Sequence, residues 1–137
     1  METSKHHNEL TVFINNFSDG WVTLLNNYSI EYDREITMAT LSDQSTVYPI
    51  YRFYHRDKFN ERFIQTLKEV NSWEFYQRGQ PLSIEDESNY NKRRIVDRLN
   101  NSIIENYMQK LGFDYTKKEF WLSKGEAIEY TFVLGVS

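Results

Sequence analysis

Between Asp86 and Gly112 apolar residues recur at steps of three and four: Ile95, Val96, Leu99, Ile103, Tyr107 and Leu111. At the helical period these share one face, which Tyr90, Ile104 and Met108 widen. Arg94, Arg98, Asn101, Glu105 and Gln109 fall opposite. Asp86 or Ser88 suits the first orphan N–H groups, and the acids Glu85, Asp86 and Glu87 suit the positive end of a helix dipole. Gly112 suits a left-handed stop. The pattern predicts one long central helix, packed on a sheet, with a polar ridge in water.

An earlier helical pattern starts near Asn8 and carries Leu10, Phe13, Ile14, Phe17, Trp21, Leu24, Leu25 and Tyr28. Ser18-Asp19-Gly20 interrupts it, and a glycine costs about 1 kcal/mol inside a helix. Residues 8–28 therefore read as one kinked helix or two helices, the unbroken phase favouring the first. The period then becomes two: Ile30, Tyr32, Ile36 and Met38 alternate with Glu31, Asp33, Glu35 and Thr37, which predicts a strand. Thr46–His55 (TVYPIYRFYH) predicts a second strand, paired antiparallel with the first, and Pro49 places it at an edge or a bulge.

Asp57 suits the cap of a helix over Lys58–Ser72, where Phe59, Phe63, Leu67 and Val70 keep steps of four and three. WEFYQ (Trp73–Gln77) reads as a short strand and Arg78–Pro81 as a turn. After Gly112, Asp114 or Thr116 starts a single helical turn ending at Gly125, and Glu126–Leu134 reads as a last strand. The predicted class is α+β: an antiparallel or mixed sheet of about four strands, with helices mainly on one face. The 137 residues suit a single domain, with Met1–His7 a flexible end.

The net charge of −4 disfavours generic affinity for nucleic acid or membrane surfaces. The absence of cysteine excludes disulfide and thiolate chemistry and suits a reducing compartment. No apolar run approaches the roughly 18 residues of a membrane span, so the expected setting is the cytoplasm. Ten tyrosines, nine phenylalanines and three tryptophans are rich for a small domain; they read first as a tyrosine-heavy core and surface, and Tyr and Trp are also favoured interface anchors.

In an extended chain, Glu31, Asp33 and Glu35 point to one side. Three carboxylates on one strand face suit water or a basic partner, with Tyr32 and Tyr51 as neighbouring anchors. The run Lys92-Arg93-Arg94 with Arg98 is diluted by Glu87, Asp97 and Glu105 and reads as a solvated helix face. Its ridge of Arg94, Arg98 and Glu105 is a second candidate contact surface. His55-Arg56-Asp57 offers a general base and a carboxylate, but no serine sits in a nucleophile elbow. Phosphate-loop, dinucleotide, zinc-protease and calcium-loop motifs are missing. No catalytic, cofactor or metal-binding residue is expected.

The segment Tyr76–Trp121, carrying YQRGQPLSIED, NKRRIVDRLNNSIIENYMQKLG and EFW, completes an acidic, cysteine-free, aromatic-rich chain. In that character it resembles the small immunity proteins that bacteria make against contact-dependent growth-inhibition and other polymorphic toxins. The resemblance is one of type and transfers no functional residue. It implies a non-enzymatic protein that binds and blocks one cognate toxin, such as a basic nuclease. Two alternatives stand beside it: a small enzyme or ligand-binding domain with an aromatic-lined pocket, and a phage or mobile-element inhibitor of a host nuclease.

Overall fold

The computed structural model describes residues 22–121. The expected N-terminal end, the helical pattern from Asn8 to Trp21 and the last strand Glu126–Leu134 lie outside the described residues. The described chain runs α1 (Val22–Tyr32), β1 (Ile36–Thr40), β2 (Ile50–Arg56), β3 (Glu61–Lys68) and β4 (Trp73–Arg78). Two 3₁₀ turns (Glu87–Asn91 and Ile95–Asp97), α2 (Asn101–Lys110) and α3 (Lys118–Trp121) follow. The strands form one antiparallel sheet in the order β1-β2-β3-β4. The fold is α+β, and no helix among the described residues is long and apolar enough to cross a membrane.

Four expectations are corrected. The first strand begins at Ile36, because Ile30–Tyr32 complete α1. Tyr32 lies four residues from both Tyr28 and Ile36, an even step that satisfies a helix face and a strand face alike. Asp33, at φ +50°, ends the helix, and the Arg34 N–H donates back to the Ser29 carbonyl at 3.0 Å.

The expected helix Lys58–Ser72 is strand β3. Phe59, Phe63 and Leu67 again keep even steps, whereas Arg62, Ile64 and Thr66 are buried on the other face. Asp57 does cap, but it caps a hairpin: its Oδ1 accepts from the Phe59 and Asn60 N–H groups at 2.7 and 2.8 Å. β2 is an interior strand, not an edge, and it starts after Pro49, whose missing N–H is thereby kept out of the ladder.

The long central helix is broken. Asp86 caps only the first 3₁₀ turn, accepting from Ser88 N–H. Arg94 is extended, and Asn100 is extended with its Oδ1 accepting from Ile103 N–H at 3.1 Å, so α2 starts there. Gly112, at φ +90°, stops α2 as expected.

The apolar set keeps its role despite the break. Tyr90, Leu99, Ile104 and Tyr107 pack with Phe53 and Ile64 over one face of the sheet. Phe53 meets Tyr107 edge-on at 5.6 Å, and Phe75 stacks on Tyr90 at 5.6 Å. α1 lies against the other face through Tyr54, whose hydroxyl donates to Asn26 Oδ1 at 2.6 Å. Burial raises the Tyr54 pKa, which keeps this donor protonated.

A charge sits inside this core. Arg62 is 1% exposed and the Glu85 side chain 0%. Arg62 Nε and Nη2 donate to Glu85, with the shortest contact at 2.7 Å, and Nη2 also reaches Gln77 Oε1 at 2.8 Å. Nη1 donates to the Arg78 and Gly79 carbonyls, both at 3.1 Å. Glu85 further accepts from Leu82 N–H and from Tyr90 Oη, each at 2.7 Å, and Tyr90 Oη meets Tyr107 Oη at 2.9 Å. Burial works to lower the Arg62 pKa, but the hydrogen bonds and charge of Glu85 outweigh it and raise it. Burial followed by these bonds pushes the Tyr90 hydroxyl up.

Thr66 is the reverse case. It is fully buried, and its hydroxyl has no hydrogen-bond partner among the described residues. Thr66→Val keeps the shape and removes the stranded polar group, so it should stabilise the protein by about 1 kcal/mol. Urea unfolding of the variant checks this; a loss of stability would show that the hydroxyl is satisfied.

Exposed carboxylates add a pH dependence. Asp86 is held below its usual 3.8 by the Ser88 hydroxyl and N–H, and Asp114 below 3.8 by the Thr116 hydroxyl. A folded pKa below the unfolded one contributes stability above the unfolded value, and that stability is lost as pH falls through the folded value. Urea midpoints should therefore show this loss only below about pH 4. In Ser88→Ala, an NMR titration should find the Asp86 carboxyl higher than in the parent.

Candidate protein-binding surface

α1 shows an apolar stripe to solvent. Leu24, Tyr28 and Tyr32 lie four apart, Tyr28 and Tyr32 are 50% and 56% exposed, and their rings touch at a centroid distance of 4.8 Å. Ile30 is also exposed, but two residues from each tyrosine it lies on the other side of the helix. A ring pair held by a helix keeps little rotamer freedom to lose on binding, which favours it as an anchor. The buried Ser29 secures the helix end from inside, its hydroxyl donating to the Arg34 carbonyl.

Glu31, Asp33 and Glu35 gather at this same end, all exposed. They do not share a strand face. Glu31 is in the last turn of α1, Asp33 is the left-handed stop, and Glu35 precedes β1. The acidic stripe is thus corrected to an acidic helix end beside exposed tyrosines. Glu35 Oε1 accepts from buried His55 Nε2 at 3.0 Å, and His55 Nδ1 meets Thr37 Oγ1 at 2.8 Å.

Asp57 Oδ2 is 3.9 Å from the same Nε2. This hydroxyl–imidazole–carboxylate chain has the residue types of a hydrolase triad, and sequence reasoning missed Thr37 because its partner lies 18 residues away. Neither of the two clefts described below is lined by Thr37 or His55. Its visible effect is to tie β1 to β2 and to fix Glu35. Among the described residues no group of three or more acidic or histidine side chains could hold a metal.

A cleft of about 170 Å³ separates the end of α1 from the β2–β3 turn, lined by Ser29, Asp33, Arg34, Arg56, Asp57 and Lys58 among others. Arg56 is taken by Glu61 at 3.0 Å, whereas Arg34 and Lys58 have no ion pair among the described residues. Four carboxylates (Glu31, Asp33, Glu35 and Asp57) outnumber those two cations. Phe59 stands at the tip of the turn, 91% exposed. The sequence pattern assigned it to a helix core; the hairpin turns it out.

The other expected contact residues scatter. Tyr51 is half-buried against the core and stacks on Trp73 at 6.5 Å, so it is no outward anchor. Arg94, Arg98 and Glu105 do not form one ridge, because the helix breaks between them. Arg94 pairs with Asp97 at 3.6 Å, and Arg98 lies over Phe75. Glu105 is half-buried in α2, where its charge adds to burial in pushing the Tyr115 hydroxyl up to about 12.

A second cleft of about 350 Å³ lies at β4, lined by Gln65, Trp73–Tyr76, Ile95 and Arg98. Sequence and fold together define an α+β chain with two candidate contact surfaces. Compared with known proteins, the chain matches no protein-family model, no curated protein and no solved structure.

Proposed function

We propose that this chain is a binding protein, an immunity-type inhibitor that occupies the basic cleft of a toxin such as a nuclease in the cytoplasm. The observation that carries the reading is the exposed Tyr28–Tyr32 pair directly beside Glu31, Asp33 and Glu35. Tyrosines in an interface centre supply buried area at low entropic cost, and carboxylates at the rim steer a basic partner. Carboxylates also replace the phosphates that a nuclease cleft is built to hold.

The test is growth rescue. The protein encoded next to this chain's gene is expressed alone and together with it. The proposal expects growth arrest alone, rescue on co-expression, and loss of rescue when Glu31, Asp33 and Glu35 are all replaced by Ala in a chain whose melting temperature is unchanged. Rescue that survives the triple replacement would show that the acidic end is not the contact. The same surface would serve a mobile-element inhibitor of a host nuclease.

A further inference from the structure

We infer that the outer edge of β4 is a second docking site, separate from α1, which takes an extended peptide segment carrying an acidic side chain. Among the described residues β4 pairs only with β3, so one row of its backbone N–H and C=O groups faces outward. An open edge is a template for another strand, and native proteins usually block it with proline, a bulge or a covering element. β4 carries no proline, and its register with β3 runs unbroken from Phe63↔Arg78 to Lys68↔Trp73.

The 350 Å³ cleft lies across β4, lined by Trp73–Tyr76 together with Gln65 of β3, Ile95 and Arg98. Residues 73–76 alternate between the two faces of β4, and all four line it, so it wraps across the strand rather than lying on one face. Trp73, Phe75, Tyr76 and Ile95 give it apolar walls. Such walls take the alternate side chains of an added strand, while the backbone supplies hydrogen bonds.

Arg98 decides the charge of the occupant. Its guanidinium lies 5.5 Å from the centre of the Phe75 ring, and its Nε donates to the Lys92 carbonyl at 2.8 Å. Both Nη groups are without a hydrogen-bond partner among the described residues. A guanidinium fixed by a ring and one hydrogen bond, with its outer fork open to a cleft, is preset for a carboxylate. Lys92 and Arg93 are exposed next to it and have no ion pair among the described residues. Against these stand Glu74 in the cleft, Asp86, which feels the charge of Lys92, and Asp97, which is taken by Arg94. The surplus is positive, opposite in sign to the net charge of the whole chain.

The probes are two unstructured peptides, one alternating valine with glutamate and one alternating valine with lysine, titrated into the isotope-labelled full chain. The expected result is shifts of the β4 amides and the Trp73 indole with the glutamate peptide alone, and new exchange protection at outward β4 amides. Arg98→Glu, or Arg93→Glu should the first variant unfold, should weaken binding at least tenfold. The Glu31, Asp33, Glu35 triple variant should bind the peptide as the parent does, which separates this site from the α1 surface. Equal binding of both peptides, shifts that map elsewhere, or β4 amides already protected in the chain alone would each overturn the inference.

Discussion

Glu85→Ala should cost about 3–5 kcal/mol, enough to unfold much of the population at 37 °C. The loss comes from what is left behind. Arg62 would keep its charge at 1% exposure with no counter-ion, and Leu82 N–H and Tyr90 Oη would lose their acceptor. All five Arg62 donors are satisfied in the parent, and this is the condition under which a buried pair holds rather than weakens a core.

Replacing both partners, Arg62→Met with Glu85→Leu, should lose less than Glu85→Ala alone, since no charge is stranded. Recovery should be incomplete, because the Arg78 and Gly79 carbonyls and Gln77 would lose their donor. Urea unfolding of the parent, both single variants and the double variant measures the coupling. A loss under about 1 kcal/mol in Glu85→Ala would mean that the pair is reached by water.

Gly79→Ala should cost about 2–4 kcal/mol. Gly79 sits at φ +82°, and an added Cβ would lie 2.0 Å from the Glu61 carbonyl oxygen and 2.9 Å from its carbon. Both contacts are backbone, so no side chain can move aside. The turn would have to lift from the start of β3, and the bond from Arg62 Nη1 to the Gly79 carbonyl would stretch with it. The effects of Gly79→Ala and Glu85→Ala should therefore fall short of their sum when combined. Thermal unfolding checks both points; full additivity would contradict the shared network.

The α+β class was legible in the sequence, as were β4, the Gly112 stop and the core stripe Tyr90, Leu99, Ile104 and Tyr107. The misread elements share a cause. Tyr28, Tyr32 and Ile36, like Phe59, Phe63 and Leu67, keep steps of four, which a helix and a strand both satisfy, so Ile30 and Tyr32 were read into the strand that starts at Ile36. Only the intervening residues separate the two, and in β3 one of them is Arg62, which counts as polar although it is buried. Asp57 added to the error, since the same side-chain geometry caps a helix or closes a hairpin turn.

Asn100 and Asn101 were the available sign that the central helix breaks, because asparagine competes with helical hydrogen bonding. In the candidate surface, Glu31, Asp33, Glu35 and Tyr32 came from the sequence. Their arrangement did not, and neither did the outward-facing Tyr28 and Phe59. The Arg98 fork was hidden by a helical phase that the chain does not keep.

The central claim is that the Tyr28–Tyr32 end of α1 is the face that meets a basic protein partner. The most direct measurement is calorimetric binding of the chain to the purified product of the neighbouring gene, with Tyr28→Ala/Tyr32→Ala as the comparison. Anchor tyrosines contribute about 2 kcal/mol or more each, so the double variant should bind roughly a thousandfold more weakly. Raising salt should weaken the parent through slower association. Unchanged affinity in a folded double variant would contradict the account.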